Sequence, residues 1–426
     1  MTAYWLERAW LPSGIADGVR VEIEDGVFTA VSTGTPDGAD RLAGLTIPGL
    51  ANCHSHAFHR ALRGRTQRER GTFWTWREQM YALAGRLDPD SYFDLAVGVY
   101  REMLASGITS VGEFHYLHHG PDGTPYDDPN VMGRVLIAAA AEVGIAITLF
   151  DTCYLAAGIG REPEGVQRRF SDGSAEAWAA RVEGTGFASA IHSVRAVPRD
   201  ALAVVAQRQG PLHVHLSEQL AENGECLAAY GVTPTQLLAE AGVLSERTSV
   251  VHATHLTPGD IRLIGESASY SCFCPTTERD LGDGVGPSRA LHTAGSPLTL
   301  GSDSHAVIDL FEEMRAVELD ERLATQQRGH WAADELLRAA TVNGHTSLGF
   351  DAGRIAVGTR ADLVTIDTAS PRTAGTGADA YTAVFAAGAA DVVSVMTNGV
   401  RRELDAGKIG ADLDRVIRRL WEGASS

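Results

Sequence analysis

Through most of this chain, short β-rich apolar runs alternate with stretches whose apolar residues return at helical spacing. From about residue 45 to residue 350 that alternation predicts βα units and a parallel sheet. Eight candidate strands fall at 45–53, 108–114, 145–150, 188–193, 212–216, 249–252, 269–274 and 298–301. Between the first two lies a clear helix. Asp88 can cap it, Pro89 suits its first turn, and Phe93, Val97, Tyr100 and Leu104 mark an apolar face before Gly107 ends it. Eight parallel strands with helices between them fit a closed α/β barrel, a (β/α)₈ TIM-like fold, better than an open sheet.

The two ends read differently. Short strands and turns, among them 19–24, 361–366 and 392–398, predict that residues 1–47 and 355–405 pair into a small β-sandwich beside a barrel of residues 48–354. Residues 406–426 form a C-terminal segment with a helical pattern over 412–421. No apolar run approaches the roughly 20 residues of a membrane helix. The start, Met-Thr-Ala-Tyr-Trp-Leu-Glu-Arg, lacks the build of a secretory signal, so a cytoplasmic protein without a membrane partner is expected.

Composition narrows the chemistry. A formal net charge of −18 disfavours nucleic acid as a partner. Bulk charge is screened beyond about 8 Å, however, so a few local arginines can still grip a small anion. Cys53, Cys153, Cys226, Cys272 and Cys274 are odd in number and scattered, which predicts reduced thiols. Cys272 and Cys274 read as small barrel residues, not a metal pair. Lys408 is the sole lysine and lies outside the proposed barrel, which excludes a barrel Schiff base, a Gly-Lys-Ser/Thr phosphate loop and a carboxylated lysine bridging two metals. A single metal is expected.

In a barrel of this kind the chemistry gathers at the C-terminal strand ends. His54-Ser-His56 follows the first strand, and residues i and i+2 of an extended chain project to one face, so both imidazoles can reach one ion. His213-Val-His215 repeats that geometry on the fifth strand, with Glu218 just beyond. His215 is nearer the rim, and His213 is expected one layer deeper, hydrogen-bonded within the barrel. His252 ends the sixth strand, while His255 in the following loop is expected to be solvated, as are His118 and His119. Asp303 follows the eighth strand in Gly301-Ser-Asp303-Ser-His305, where an unpaired buried carboxylate would be costly. Three His and one Asp at strand ends match a zinc-type hydrolytic site with one position open for water.

The sequence here resembles the deaminase branch of the amidohydrolase superfamily. The match runs through Pro48-Gly-Leu-Ala-Asn-Cys-His-Ser-His56, His215-Leu-Ser-Glu218, His252, Gly301-Ser-Asp303 and the late Gly353-Arg-Ile-Ala-Val-Gly-Thr-Arg-Ala-Asp-Leu-Val364. Within that superfamily it is similar to the formimidoylglutamate deiminase family. His54-Ser-His-Ala-Phe58, Phe73-Trp-Thr-Trp-Arg77, Glu113-Phe-His-Tyr116, His192-Ser-Val-Arg195, Val251-His-Ala-Thr-His255 and Gly301-Ser-Asp-Ser-His305 carry the likeness. The resemblance implies His54, His56, His215 and Asp303 as ligands of one divalent metal, Zn²⁺ first, with iron or manganese also suited to the donor set. It implies Glu218, His252 and Asp303 as the catalytic acid–base groups. Arg77, Tyr116, His192 and Arg195 match positions that contact substrate. Two departures stand out: His59 where Gln is expected, and Arg279-Asp280 where Ala-Asn is expected.

The activity so implied is release of ammonia from N-formimidoyl-L-glutamate, a step of histidine degradation, by a homodimer. Planar arginines suit the two carboxylates of such a dianionic amidine. Residues 60–86 are long for a βα loop, as lids often are. Two rival readings follow from the same residues. One is a related deaminase or dechlorinase acting on a ring such as guanine, which would not need two converging arginines. The other is a non-catalytic scaffold, which would tend to lose ligands that this chain retains.

Overall fold

A computed structural model gives the structure of residues 2–68, 71 and 73–422. Residues 69, 70 and 72 of the expected lid, residues 423–426 of the tail, Met1 and the side chains of Phe73 and Trp74 lie outside the described set. Two sheets organise the chain. The larger runs β5 (Leu50–Ser55), β6 (Ile108–His115), β7 (Ala146–Cys153), β8 (Ala188–Ile191), β9 (Leu212–Leu216), β10 (Thr248–His252), β11 (Tyr270–Phe273) and β12 (Leu298–Leu300) in spatial as well as chain order. Every adjacent pair in it is parallel.

The sheet closes on itself at the rim. Ser55 and Asp303 form a parallel bridge, the amides of Ser302 and Asp303 donate to the carbonyl of His54 at 3.1 and 3.0 Å, and the amide of His56 donates to the carbonyl of Asp303 at 3.2 Å. Gly301 permits this approach, since a Cβ there would lie 2.8 Å from the Cβ of His54. First and last strands are thus stitched together at the residues expected to hold the metal.

Both chain ends supply the second sheet. Its strands are β1 (Thr2–Leu11), β2 (Gly14–Glu24), β3 (Val27–Thr33), β4 (Asp40–Pro48), β13 (Leu363–Ile366), β14 (Val392–Thr397) and β15 (Val400–Arg401). They form one continuous hydrogen-bonded sheet ordered β15-β14-β13-β4-β1-β2-β3. β4 pairs parallel with β1 and antiparallel with β13, so it joins the two ends of the chain.

The run 45–53, expected as one strand, is divided between the sheets. Leu45–Pro48 belongs to β4, and the barrel begins at Leu50. Gly49 makes the turn because a Cβ there would lie 2.2 Å from the Thr109 hydroxyl.

The helix Pro89–Ala105 starts where expected, with the Asp88 carboxylate accepting from the Ser91 amide at 2.8 Å. Its buried face is wider than the predicted stripe and includes Tyr92, Leu95, Val99 and Met103, while Phe93 is only partly buried. The terminal helix Ala406–Glu422 packs on this helix, its Leu413 side chain sitting against Gly98. Ile409, Leu413, Val416 and Leu420 form that helix's buried stripe. No described helix is long and apolar enough to cross a membrane.

Candidate active site

Three strand ends, those of β5, β9 and β12, bring His54, His56, His215 and Asp303 to one point. The facing Nε2 atoms of His54 and His215 are 3.0 Å apart. Asp303 Oδ1 lies 3.4 Å from His54 Nε2 and 3.3 Å from His56 Nε2. His56 donates from Nδ1 to the Phe114 carbonyl at 3.0 Å, which leaves its Nε2 lone pair free to face the cluster. Burial lowers the pKa of His54 to about 4 and of His215 well below its ordinary value, so both are neutral imidazoles. Burial would raise Asp303, but its contacts with His54 and His56 hold it well below the usual carboxylate range. Neutral imidazoles around an ionised carboxylate are the donor set of a divalent ion. Tetrahedral ligands around zinc lie about 3.4 Å apart, close to the spacing seen here. The residues fit a metal.

His252 stands on the other side of Asp303, with Nε2 3.7 Å from Asp303 Oδ2 and 3.9 Å from Glu218 Oε1. Its Nδ1 faces Glu278 Oε1 at 3.3 Å. Burial alone would lower its pKa, yet Glu218, Glu278 and Asp303 together hold it well above the ordinary value. The strand ends carry backbone strain here: Ser217, His252, Ala253, Asp303 and His305 all have φ between 40° and 69°.

Above the cluster opens a pocket of about 930 Å³, counting space open to solvent. Its walls include His56, Arg77, Tyr116, His192, Arg195, His215, Glu218 and Asp303. Arg77 lies on the helix Phe73–Ala84 with its guanidinium 5.5 Å from the centre of the Tyr81 ring. Trp76, Met80 and Tyr81 of the same helix share that wall. Arg195 reaches Glu218 at 3.5 Å and Glu222 at 3.6 Å. His59 is not among the wall residues. It is buried behind them, with Nε2 3.0 Å from the Tyr116 hydroxyl and its ring 4.5 Å from that of His56.

Several histidines differ from expectation. His213 makes no hydrogen bond within the barrel; it stacks on Phe150 at 3.7 Å with both ring nitrogens unpartnered. His118 and His119 are buried, not solvated. His118 donates to the Thr152 carbonyl at 2.9 Å and His119 meets Asp172 at 3.1 Å, in a network that also holds Asp151 and Arg181. His255 is half-buried. Arg279 and Asp280 face outward, pairing with Asp320 at 2.7 Å and Gln67 at 2.8 Å.

Glu113, Glu222 and Glu278 were not singled out from sequence as site groups, and neither was Arg161 at the pocket mouth. Each carries an ordinary local pattern. Glu278, for instance, reads only as a first-turn acid of the helix Pro275–Leu281.

Residues 45–402 match the profile of the amidohydrolase family. A formimidoylglutamate deiminase of Pseudomonas aeruginosa is 39% identical over 94% of this chain and 94% of its own length. A 5-methylthioadenosine/S-adenosylhomocysteine deaminase of Halobacterium salinarum is 28% identical over 84% of this chain and 81% of its own. Among solved structures, an amidohydrolase from Brucella melitensis superposes with a TM-score of 0.88 at 30% identity, covering 99% of this chain and 100% of that one. An adenosine deaminase from Xanthomonas campestris with bound zinc shares the fold, at a TM-score of 0.83 and 22% identity, over 99% of this chain and 98% of that one.

Proposed function

This chain belongs to the amidohydrolase family, and from that membership we propose that it hydrolyses N-formimidoyl-L-glutamate to N-formyl-L-glutamate and ammonia. One observation carries the reading: a His₃Asp cluster flanked by Glu218 and His252 opens into a pocket lined by Arg77 and Arg195. Similarity to a formimidoylglutamate deiminase supports the choice of substrate. A place in histidine degradation, a cytoplasmic location and a homodimeric state belong to the same proposal.

Held by His54, His56, His215 and Asp303, one divalent ion, Zn²⁺ first and iron or manganese next, would supply the Lewis acidity that makes water nucleophilic near neutral pH. The remaining chemistry falls to side chains. Asp303 and His252 orient the attacking water, and the Asp303 carboxylate takes its proton as its oxygen bonds to the formimidoyl carbon. His252, braced by Glu278, also faces the charge that develops at that centre. Glu218 carries a proton to the departing nitrogen. The C–N bond then breaks, ammonia leaves, and the formyl carbonyl forms. Arg195 and Arg77 hold the carboxylates, while Tyr116 and His192 complete the wall around the amidine.

The test offers the metal-loaded protein formimidoyl-glutamate and guanine and measures ammonia release. Turnover of the diacid is expected, and Arg195→Ala should raise its KM by about 10- to 100-fold, the worth of a charge-assisted contact. Guanine turnover with no activity on the diacid overturns the assignment.

A further inference from the structure

Arg195 lies in the pocket wall with 15% of its side chain exposed, and two acids share it. Glu218 approaches Nη2 at 3.5 Å and Glu222 approaches Nε at 3.6 Å. Were both ionised, the group meant to receive a substrate carboxylate would carry net negative charge. The two acids are not equivalent. Glu222 has no exposed surface, and neither of its carboxyl oxygens makes a close hydrogen bond; the Ser217 amide and Arg195 Nε, the latter at 3.6 Å, are the donors that face it. An ionised carboxylate buried with so few close donors is a costly state in a protein interior. Glu218, by contrast, has 8% of its side chain exposed and faces both Arg195 and His252.

We propose that Glu222 is a specificity-determining residue that stands behind Arg195 as an uncharged acid, so that Glu218 alone competes with a substrate carboxylate for the guanidinium's charge. When Glu222 loses its proton, it claims that charge and the carboxylate binds less tightly. The groups facing it are Arg195 on the loop after β8, the Ser217 amide and Glu218 after β9, His252 at the end of β10, and Cys226 on its own helix, Leu220–Tyr230, while Glu225 of that helix faces Arg195. Burial pushes the Glu222 carboxyl up to about 7 and the nearby Glu218 adds to the rise, while Arg195, the Ser217 amide and His252 oppose it. The inference rests on the diacid reading above and adds to it a group that does not touch the reacting atoms.

Its test is calorimetric binding of N-formyl-L-glutamate to the metal-loaded protein and to Glu222→Gln, at pH 6 and pH 8, in buffers of different ionisation enthalpy. With a titration near 7, wild-type affinity should fall about tenfold between the two pH values, with uptake of close to one proton at pH 8. Glu222→Gln should keep the pH 6 affinity at both values and take up no extra proton. Equal pH dependence in the two proteins overturns the proposal, and so does a loss of affinity in Glu222→Gln at pH 6, which would mean that a charged Glu222 aims Arg195. The wild-type proton count is decisive even if the variant folds poorly. Either of those failures, with formimidoyl-glutamate still turned over, leaves the substrate assignment standing. Absence of both diacid binding and turnover removes the assignment and this proposal together.

Discussion

His213 and His215 lie two residues apart on β9, yet only His215 meets the ligand cluster, while His213 stacks on Phe150. Replacing His215 with Ala should therefore release the metal, whereas His213→Phe should retain about one ion per chain, both checked by metal analysis of purified protein. Glu218 borders the cluster without belonging to it. Glu218→Gln should accordingly keep its metal and lower kcat by about 10²- to 10⁴-fold, the usual worth of a positioned acid–base group. At this scale the candidate ligands were legible, because His-x-His and an Asp after a buried strand are locally unusual. It concealed the partners. Glu278 beneath His252 and Glu222 behind Arg195 look like ordinary helix acids until the fold brings them inward.

Single side chains also tie whole elements together. Glu113 on β6 is fully buried, accepts from the Ala57 amide at 2.6 Å and from the Ser55 hydroxyl at 2.7 Å, and Ser55 lies 3.0 Å from His305 Nε2. One carboxyl thus pins the segment that carries His54 and His56 and, through Ser55, the loop that carries Asp303. Glu113→Ala should weaken metal affinity about 10- to 100-fold in a chelator competition, whereas Glu113→Gln, which can still accept from Ala57 and donate to Ser55, should remain near wild type. Barrel strands were legible because each is a short apolar run between turns, and 212–216 coincides with β9 in full. The break at Gly49 was not, since Leu45–Pro48 and Leu50–Ser55 are both apolar. Only their different partners, β13 and β6, separate them.

Across the molecule, buried histidines tie stability to pH. Burial lowers His345 to about 4, although its Nε2 donates to the Gly49 carbonyl, and burial lowers His115 to about 3. Both stay neutral in the fold, while the unfolded chain takes up protons near 6.5. Stability should consequently fall as pH drops below 6.5, by about 1.4 kcal/mol per pH unit for each, down to about 4 for His345 and 3 for His115. Denaturant melts at pH 7.5 and 5.5 should show His345→Gln losing less than wild type by about that amount. The C-terminal helix also reaches the segment that follows β5: the Trp421 indole donates to the Ala61 carbonyl at 3.0 Å, and the guanidinium groups of Arg65 and Arg86 pack on its ring. A terminal helical stripe was readable from sequence, but its seat against Pro89–Ala105 depended on contacts more than 300 residues apart. The seam between Ser55 and Asp303 has a further consequence for how the protein is made. A nascent chain on the ribosome exposes its first two histidines early, and they wait for the last barrel strand to emerge before a complete cage exists. If these four groups hold the ion as proposed, its capture would be reserved for a polypeptide whose synthesis has passed residue 303, and prematurely terminated fragments should come out of the cell without it.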